Sequence, residues 1–333
     1  MKAYVIKRYG KNVAFEVAEL QQPALGERDV LIEIHAAGLN VLDAKIKNGE
    51  FKLLLPYTLP LVLGHDLAGV VVRVGQNVKR FKVGDEVYAR PADYRIGAFA
   101  EYIALNENDV AIKPNNITME EAASIPLVSL TAWQALIEKA KLRMGQKVFI
   151  QAGSGGVGTI AIQLAKHLGA TVATTTSKAN FDLVKRLGAD IVIDYKNEDF
   201  ETILQDYDVV LNSQDTVTLK KSLSVLKPNG KLISISGPPD PSFADEIGAS
   251  WVVKLLMKLL SFNVRKRAKK FNVNYSFLFM KASGNQLSEI TALINSGKIR
   301  PIVDRIFPFN AINEAMAYVE TGRAKGKVVI KIK

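Results

Sequence analysis

Val148-Phe149-Ile150-Gln151-Ala152-Gly153-Ser154-Gly155-Gly156-Val157-Gly158, continuing as Thr159-Ile160-Ala161-Ile162-Gln163-Leu164-Ala165, decides how the rest of this chain is read. An apolar run of strand length enters a turn with glycine at 153, 155, 156 and 158, and the turn opens an amphipathic helical pattern. Side chains at those glycines would hold the backbone away from a pyrophosphate. The free N–H groups and positive dipole end of the following helix would point at such an anion. A glycine-rich string alone is weak evidence, but here it joins a buried strand to a helix, the context that a dinucleotide fingerprint requires. Gly153, Ser154, Gly155, Gly156, Val157 and Gly158 are therefore the candidate diphosphate contacts.

Downstream of the turn, strands are expected over 171–175, 191–194, 208–211 and 231–236, with helices over 181–187 and 218–226 between them. Strand and helix alternating through short links is the pattern of a doubly wound parallel sheet, an α/β fold. Upstream, helices are expected over 119–124 and 129–141. The first third is β-rich, with short apolar or alternating runs at 3–6, 30–36 and 68–74 separated by Gly- and Asp-containing turns. Such strands suggest a small barrel or sandwich. The tail (a helix over 286–295, a strand over 302–308, a helix over 311–320, a closing strand over 327–332) does not extend the α/β rhythm, and its pieces could return to the first domain. At 333 residues the chain is too long for one ordinary core, so two domains are expected.

The same strand end bears on which dinucleotide is bound. A site for NAD wants a carboxylate roughly twenty residues beyond the loop to hold the adenosine ribose diol. Here that count reaches Thr174-Thr175-Thr176-Ser177-Lys178, with no acid until Asp182. Hydroxyls and a lysine suit a phosphate dianion, so NADP (as NADPH) is favoured over NAD.

Composition narrows the chemistry. With 48% hydrophobic and 23% charged residues the chain has an ordinary soluble profile, and no run reaches the roughly twenty apolar residues of a membrane span. No membrane partner is expected, and a cytoplasmic location is the default because the strand pattern begins at once. There is no cysteine, which excludes disulfides, a thiol nucleophile and thiolate-based metal sites, and the three histidines (His35, His65, His167) are few for a metal enzyme. No metal is expected. The net charge of +11 is concentrated in residues 251–281, which carry eight basic side chains and no acid. A solvated helix face is the plain reading of that segment; an anionic substrate tail or a nucleic acid are the others, and nucleic acid is the less expected partner.

Together these residues resemble the zinc-free quinone oxidoreductase and enone (alkenal) reductase branch of the medium-chain dehydrogenase/reductase superfamily. The resemblance runs through Ala37-Gly38-Leu39-Asn40-Val41-Leu42-Asp43-Ala44-Lys45, Gly64-His65-Asp66-Leu67-Ala68-Gly69, Val83-Gly84-Asp85-Glu86-Val87-Tyr88 and Gly97-Ala98-Phe99-Ala100-Glu101-Tyr102. It continues through Ser129-Leu130-Thr131-Ala132-Trp133, the glycine turn, Leu187-Gly188-Ala189-Asp190 and the ending Gly326-Lys327-Val328-Val329. It implies a Rossmann domain over 126–269 inserted into a GroES-like barrel built from 1–125 and 270–333, and a homodimer. By position it implies that Ser177, Lys178 and Tyr195 form a 2′-phosphate pocket, that Thr131 lies on the nicotinamide side, and that Gly237 lies beside the ribose. Zinc-dependent relatives carry a cysteine ligand where this chain has Asn40, which leaves His65 as a hydrogen-bonded structural residue. Two features depart from the family pattern: Asn212-Ser213-Gln214-Asp215 replaces an acidic–small–glycine turn, and the basic run 265–270 has no close counterpart in plant-like enone reductases.

The activity implied is NADPH-dependent hydride transfer, without zinc, to a quinone or to the C=C bond of an α,β-unsaturated carbonyl. Without a metal, the enolate oxygen that forms needs a hydrogen-bond donor or a positive charge. Lys45 is the first candidate. Asn40 is a candidate to orient the carbonyl or carboxamide, Asp43 to fix Lys45 or the helix start, and Tyr57 to wall the pocket or deliver a proton. The alternatives are an enoyl-thioester (coenzyme A or carrier protein) reductase, and a non-catalytic NADPH- or nucleic-acid-binding protein.

Overall fold

The computed structural model describes residues 1–52 and 55–333. In chain order the elements begin with β1 (Lys2–Ile6), β2 (Glu16–Glu19), β3 (Asp29–Leu39), α1 (Val41–Lys47), β4 (Leu61–Val62), β5 (Asp66–Val74), β6 (Glu86–Ala89), β7 (Tyr102–Asn106) and β8 (Val110–Ile112). Next come α2 (Met119–Ala123), α3 (Pro126–Trp133), β9 (Lys147–Ile150), α4 (Gly156–His167), β10 (Thr171–Thr176), α5 (Phe181–Arg186), β11 (Ile191–Asp194), α6 (Phe200–Ile203), β12 (Tyr207–Asn212) and α7 (Thr216–Ser222). The last group is β13 (Leu226–Ser234), α8 (Pro241–Glu246), α9 (Trp251–Leu260), α10 (Phe262–Lys270), β14 (Asn274–Phe277), α11 (Gly284–Asn295), β15 (Val303–Pro308), α12 (Ile312–Glu320) and β16 (Lys327–Lys331).

The chain divides into two units, one made of 1–130 with 281–333 and the other of 131–280. The second crossing therefore falls at Met280/Lys281 and not at the expected 269/270. The cause is β14, which pairs in parallel with β13 (Lys231↔Asn274 to Ser234↔Phe277) and so belongs to the parallel sheet. The first crossing lies within α3, a few residues beyond the expected 125/126.

In the second unit, among the described residues, six strands lie in the order β11-β10-β9-β12-β13-β14. With β9 counted as the first strand this is the doubly wound order 3-2-1-4-5-6, and the direction of winding reverses between β9 and β12, where such sheets bind ligands. The strands are buried because helices cover them, which is why β9 and β12 read as continuous apolar runs. Phe149, Ile193, Phe200, Tyr207, Val210, Leu219, Leu223 and Leu232 form one core cluster, which Val264 and Ala268 of α10 help to close. The helix expected over 218–226 is shorter, because Leu226 is already in β13, paired with Tyr207.

In the first unit, β3 is the organising strand. β5 runs along one side of it, while the other side is shared by β7 (Asp29–Glu33) and β16 (Ala36–Leu39). The tail thus returns to the first domain through β16, with β15 beside it in parallel. An amide clasp holds α12 to the N-terminal segment: Phe15 N–H donates to Asn313 Oδ1 at 2.8 Å, and Asn313 Nδ2 donates to the Phe15 carbonyl at 3.0 Å. The β1-β2-β4 sheet is joined to this unit by Tyr4 N–H donating to the Phe99 carbonyl at 2.9 Å.

Candidate functional site

The turn after β9 is tight because nothing but hydrogen fits at two of its positions. A Cβ on Gly153 would lie 2.1 Å from Thr174 Oγ1, and one on Gly158 would lie 2.3 Å from the Ala152 carbonyl oxygen. α4 therefore packs directly against β9 and β10. Ala152 takes a left-handed φ of 51°, which costs an alanine about 1–2 kcal/mol. The bonds that hold it are Ala152 N–H to Thr175 Oγ1 (3.2 Å), Gly153 N–H to the Thr175 carbonyl (2.9 Å) and Gly155 N–H to the Ala152 carbonyl (3.0 Å). Gly155 caps α4 with extended geometry, so the amides of Gly156, Val157 and Gly158 have no intrahelical acceptor. Three adjacent donors at a helix N-terminus form an anion cradle.

Hydroxyls gather beside this cradle at the end of β10. Ser154 Oγ accepts from Thr176 Oγ1 at 2.8 Å and from Asn180 Nδ2 at 3.2 Å, and Ser177 Oγ accepts from the same Nδ2 at 3.3 Å. A serine oxygen that accepts from within the protein keeps its own O–H to donate outward. Asn180 Oδ1 is buried and has no hydrogen-bond partner among the described residues. Lys178 is exposed, and among the described residues no ion pair engages it. Because Thr176 pairs with Asp194, the residues that follow them, Ser177 and Tyr195, leave the sheet side by side, and Tyr195 is 61% exposed. Asp194 is the carboxylate at this edge, but its own turn occupies it: it accepts from Asn197 Nδ2 at 2.7 Å and from Lys196 N–H at 3.2 Å. Among the described residues the carboxylate at this strand end is turned into its own loop, while hydroxyls and an ammonium suited to a phosphate lie at the end of β10.

A buried polar chain closes the C-terminal ends of β9, β12 and β13. Asn212 Nδ2 donates to Gln151 Oε1 (2.6 Å), Gln151 Nε2 to Ser222 Oγ (2.5 Å), Ser234 Oγ to Asn212 Oδ1 (2.7 Å) and Gly237 N–H to Ser234 Oγ (2.8 Å). This accounts for the departure at Asn212: the amide bridges two strand ends where an acid could only accept. Gly237 is closely packed, since a Cβ there would lie 2.6 Å from Tyr275 Oη. Thr131, in α3, is buried.

The first unit holds a second polar centre. Asp43, fully buried, accepts from Asn40 N–H at 2.8 Å and sits 2.6 Å from His65 Nδ1. It thus fixes the start of α1 and the His65 ring; Lys45, the other expected partner, makes no bond to it. Asn40 Nδ2 donates to Asp66 Oδ2 at 2.9 Å, and Lys327 Nζ donates to both Asn40 Oδ1 and Asp66 Oδ2, the latter at 2.9 Å. The other Asp66 oxygen accepts from Leu127 N–H at 2.6 Å. Both ends of the Asn40 amide are therefore engaged. Lys45 is half-buried, and among the described residues nothing forms a hydrogen bond or ion pair with its ammonium. Tyr57 donates to the Asp93 carbonyl at 2.5 Å, and burial, reinforced by the Asp93 charge, raises its phenol above the ordinary tyrosine range. It stays protonated, with its one hydrogen committed.

Asn180, Asp66 and Lys327 had no role in the sequence reading. The Asn180 signal was local, three residues after Ser177. Asp66 and Lys327 lay in quoted motifs, but their pairing joins positions 261 residues apart.

Two family models match the chain: the alcohol dehydrogenase GroES-like domain over residues 26–115, and zinc-binding dehydrogenase over residues 187–330. The chain is 34% identical to the mitochondrial NAD(P)H oxidoreductase RTN4IP1 of Danio rerio, over all of this chain and 91% of that protein. It is 38% identical to 2-methylene-furan-3-one reductase of Solanum lycopersicum, over 99% of this chain and 79% of that one. The quinone oxidoreductase of Coxiella burnetii superposes with a TM-score of 0.86 at 30% identity, covering all of this chain and 99% of that one.

The description of the second model implies zinc, and the residues present do not fit it. There is no cysteine, and among the described residues no three His, Asp or Glu side chains are grouped to hold a metal ion. His65 Nδ1 faces Asp43 and its Nε2 has no hydrogen-bond partner among the described residues, but one imidazole alone does not make a zinc site, and Asp66 already has a cation in Lys327.

Proposed function

The chain belongs to the medium-chain dehydrogenase/reductase superfamily, in its zinc-free quinone and enone reductase branch, and on that premise we propose that it is an NADPH-dependent oxidoreductase. It passes hydride to a quinone or to the C=C bond of an α,β-unsaturated carbonyl. The observation that carries this is the glycine turn between β9 and α4, with hydroxyls and Lys178 at the end of β10 and the Asp194 carboxylate turned into its own loop.

The amides of Gly156, Val157 and Gly158, with Gly153, Ser154 and Gly155 in the turn, receive the diphosphate. Ser177, Lys178 and Tyr195 receive the 2′-phosphate, with Asn180 holding Ser154 and Ser177 in place. Thr131 and Gly237 complete the nicotinamide-side and ribose contacts. When bound, NADPH supplies hydride from nicotinamide C4 to the β-carbon of the acceptor. Lys45 donates a hydrogen bond to the carbonyl oxygen as it becomes an enolate, the role of a single oxyanion donor. The α-carbon then takes its proton from water, which restores a saturated carbonyl. Asn40 acts as a positioning residue, because Asp66 and Lys327 hold its amide. Tyr57 is not the proton donor, because its hydrogen is committed to the Asp93 carbonyl.

A homodimer and a cytoplasmic location belong to the same reading. β14 leaves a sheet edge unpaired among the described residues, and such an edge accepts a second copy.

Oxidation of NADPH, followed spectrophotometrically against a simple enone, a quinone and crotonyl-CoA, tests the proposal. Saturable turnover of the enone or quinone supports it. Turnover of the thioester alone makes the protein an enoyl-thioester reductase, and turnover of none of them removes the enzymatic reading.

A further inference from the structure

α9 buries one narrow face and exposes the other. Met257 is 2% exposed and, with Val253, packs on Phe243, Ala244 and Phe277. Trp251, Val252, Leu255, Leu256, Leu259 and Leu260 all point outward, Trp251 being 77%, Leu259 64% and Leu260 57% exposed. Phe262, at the start of α10, extends the ridge. Scattered surface leucines need no explanation, but a contiguous apolar ridge of this kind marks a contact surface.

The segment that carries the ridge has charge of one sign, with Asp245 of the neighbouring α8 against it. Residues 251–281 contain no acid. Lys254 is paired with Asp245, but among the described residues no carboxylate pairs with Lys258, Arg265, Lys266, Arg267, Lys269 or Lys270. Arg265 bonds Ser261 Oγ and the Lys258 carbonyl, and Arg267 stacks on Phe271, so both keep their charge. The partner must therefore be apolar where the ridge enters and anionic around it. A second copy docked ridge to ridge would bring two uncompensated basic segments together. Nucleic acid would meet the cations but has no use for an aliphatic ridge of valine and leucine.

We propose that α9 and α10 form a peripheral docking surface for an anionic lipid bilayer, with the α9 ridge entering the acyl boundary and the basic side chains at the headgroups. α9 has ten residues and is about 15 Å long, half of the roughly 30 Å hydrocarbon core, so it lies in the interface and does not cross it. This goes beyond the reductase reading and does not depend on it.

The test is sedimentation of the full chain with vesicles of equimolar phosphatidylcholine and phosphatidylglycerol, against vesicles of phosphatidylcholine alone. Binding is expected to the mixed vesicles only, to fall with added salt, and to come with a blue shift of Trp251 emission that is lost in Trp251→Phe. Leu256→Glu/Leu259→Glu should lower binding by about tenfold or more, and Lys266→Glu/Lys269→Glu should lower it in the mixed vesicles. Both variants alter exposed side chains, so the melting temperature and the oxidation of NADPH by a water-soluble enone should stay unchanged. The proposal is overturned if the chain ignores the mixed vesicles at low salt, or if the Leu256/Leu259 variant binds them as well as the parent. It is also overturned if that variant only splits a dimer seen by light scattering, or if RNA is bound and vesicles are not.

Discussion

Lys178→Ala isolates the contact that separates NADPH from NADH. Ser177 and Lys178 follow Thr176 out of β10, and Asn180 holds the Ser177 hydroxyl while leaving its proton to donate. A charge-assisted hydrogen bond to phosphate contributes about 1.5–3 kcal/mol when shielded. Lys178 is exposed, so solvent screening reduces its share to about 1 kcal/mol. That corresponds to about a fivefold rise in the dissociation constant for NADPH. Ser177→Ala removes a second donor and should add a similar factor. NADH lacks the phosphate, so its affinity should change by less than about twofold in either variant. Fluorescence titration of the nicotinamide with both cofactors, at two salt concentrations, reads the difference directly, and the Lys178 effect should shrink at the higher salt. Equal losses for NADPH and NADH would refute the phosphate pocket.

Gly158→Ala should abolish dinucleotide binding and lower the melting temperature by several degrees, because its Cβ would meet the Ala152 carbonyl oxygen at 2.3 Å and overpacking against backbone costs about 1–3 kcal/mol. An unchanged affinity would mean that α4 can move away. Lys45→Ala should lower the single-turnover rate of enone reduction by about tenfold to a hundredfold while leaving NADPH affinity intact; an unchanged rate removes Lys45 from the chemistry. Asp29 is held below the ordinary carboxylate range chiefly by its hydrogen bonds from Arg95, with burial opposing and the Gly26 amide assisting. A depressed pKa stabilises the fold above the unfolded value and is lost as pH falls through the folded one. Asp29→Asn should therefore melt earlier than the parent at neutral pH, with the gap narrowing below about pH 4. A gap that stays constant in thermal melts across that range contradicts the assignment.

The legible parts of the molecule were those coded locally. Glycines at 153 and 158 announce a close approach of helix to strand, and the approach is there because neither position can hold a Cβ. Tyr195 was named with Ser177 through the family resemblance alone; the parallel register pairs Thr176 with Asp194, the residues just before them. The centre around Asn40 was less readable. Its geometry depends on Asp66 and Lys327, and bonds spanning 287 and 261 residues leave no spacing to read. Of the two readings of Asp43, Lys45 or the helix start, the helix start is where it bonds, through Asn40 N–H, and its second partner, His65, lies on the loop ahead of β5. Residues 251–281 read as a helix face, but the course of α8 to α10 between β13 and β14 was not legible, because packing of α8 and α9 on Phe277 sets it. That insertion also hid β14 and its parallel pairing with β13.

The most direct test is a single-turnover measurement on metal-depleted protein: calorimetric titration with NADPH, then stopped-flow mixing of the complex with an enone. One NADPH should bind per chain, and hydride transfer should proceed at the same rate with or without added zinc. A protein that takes up no nicotinamide dinucleotide, or that reduces the enone only after zinc is restored, would contradict the account.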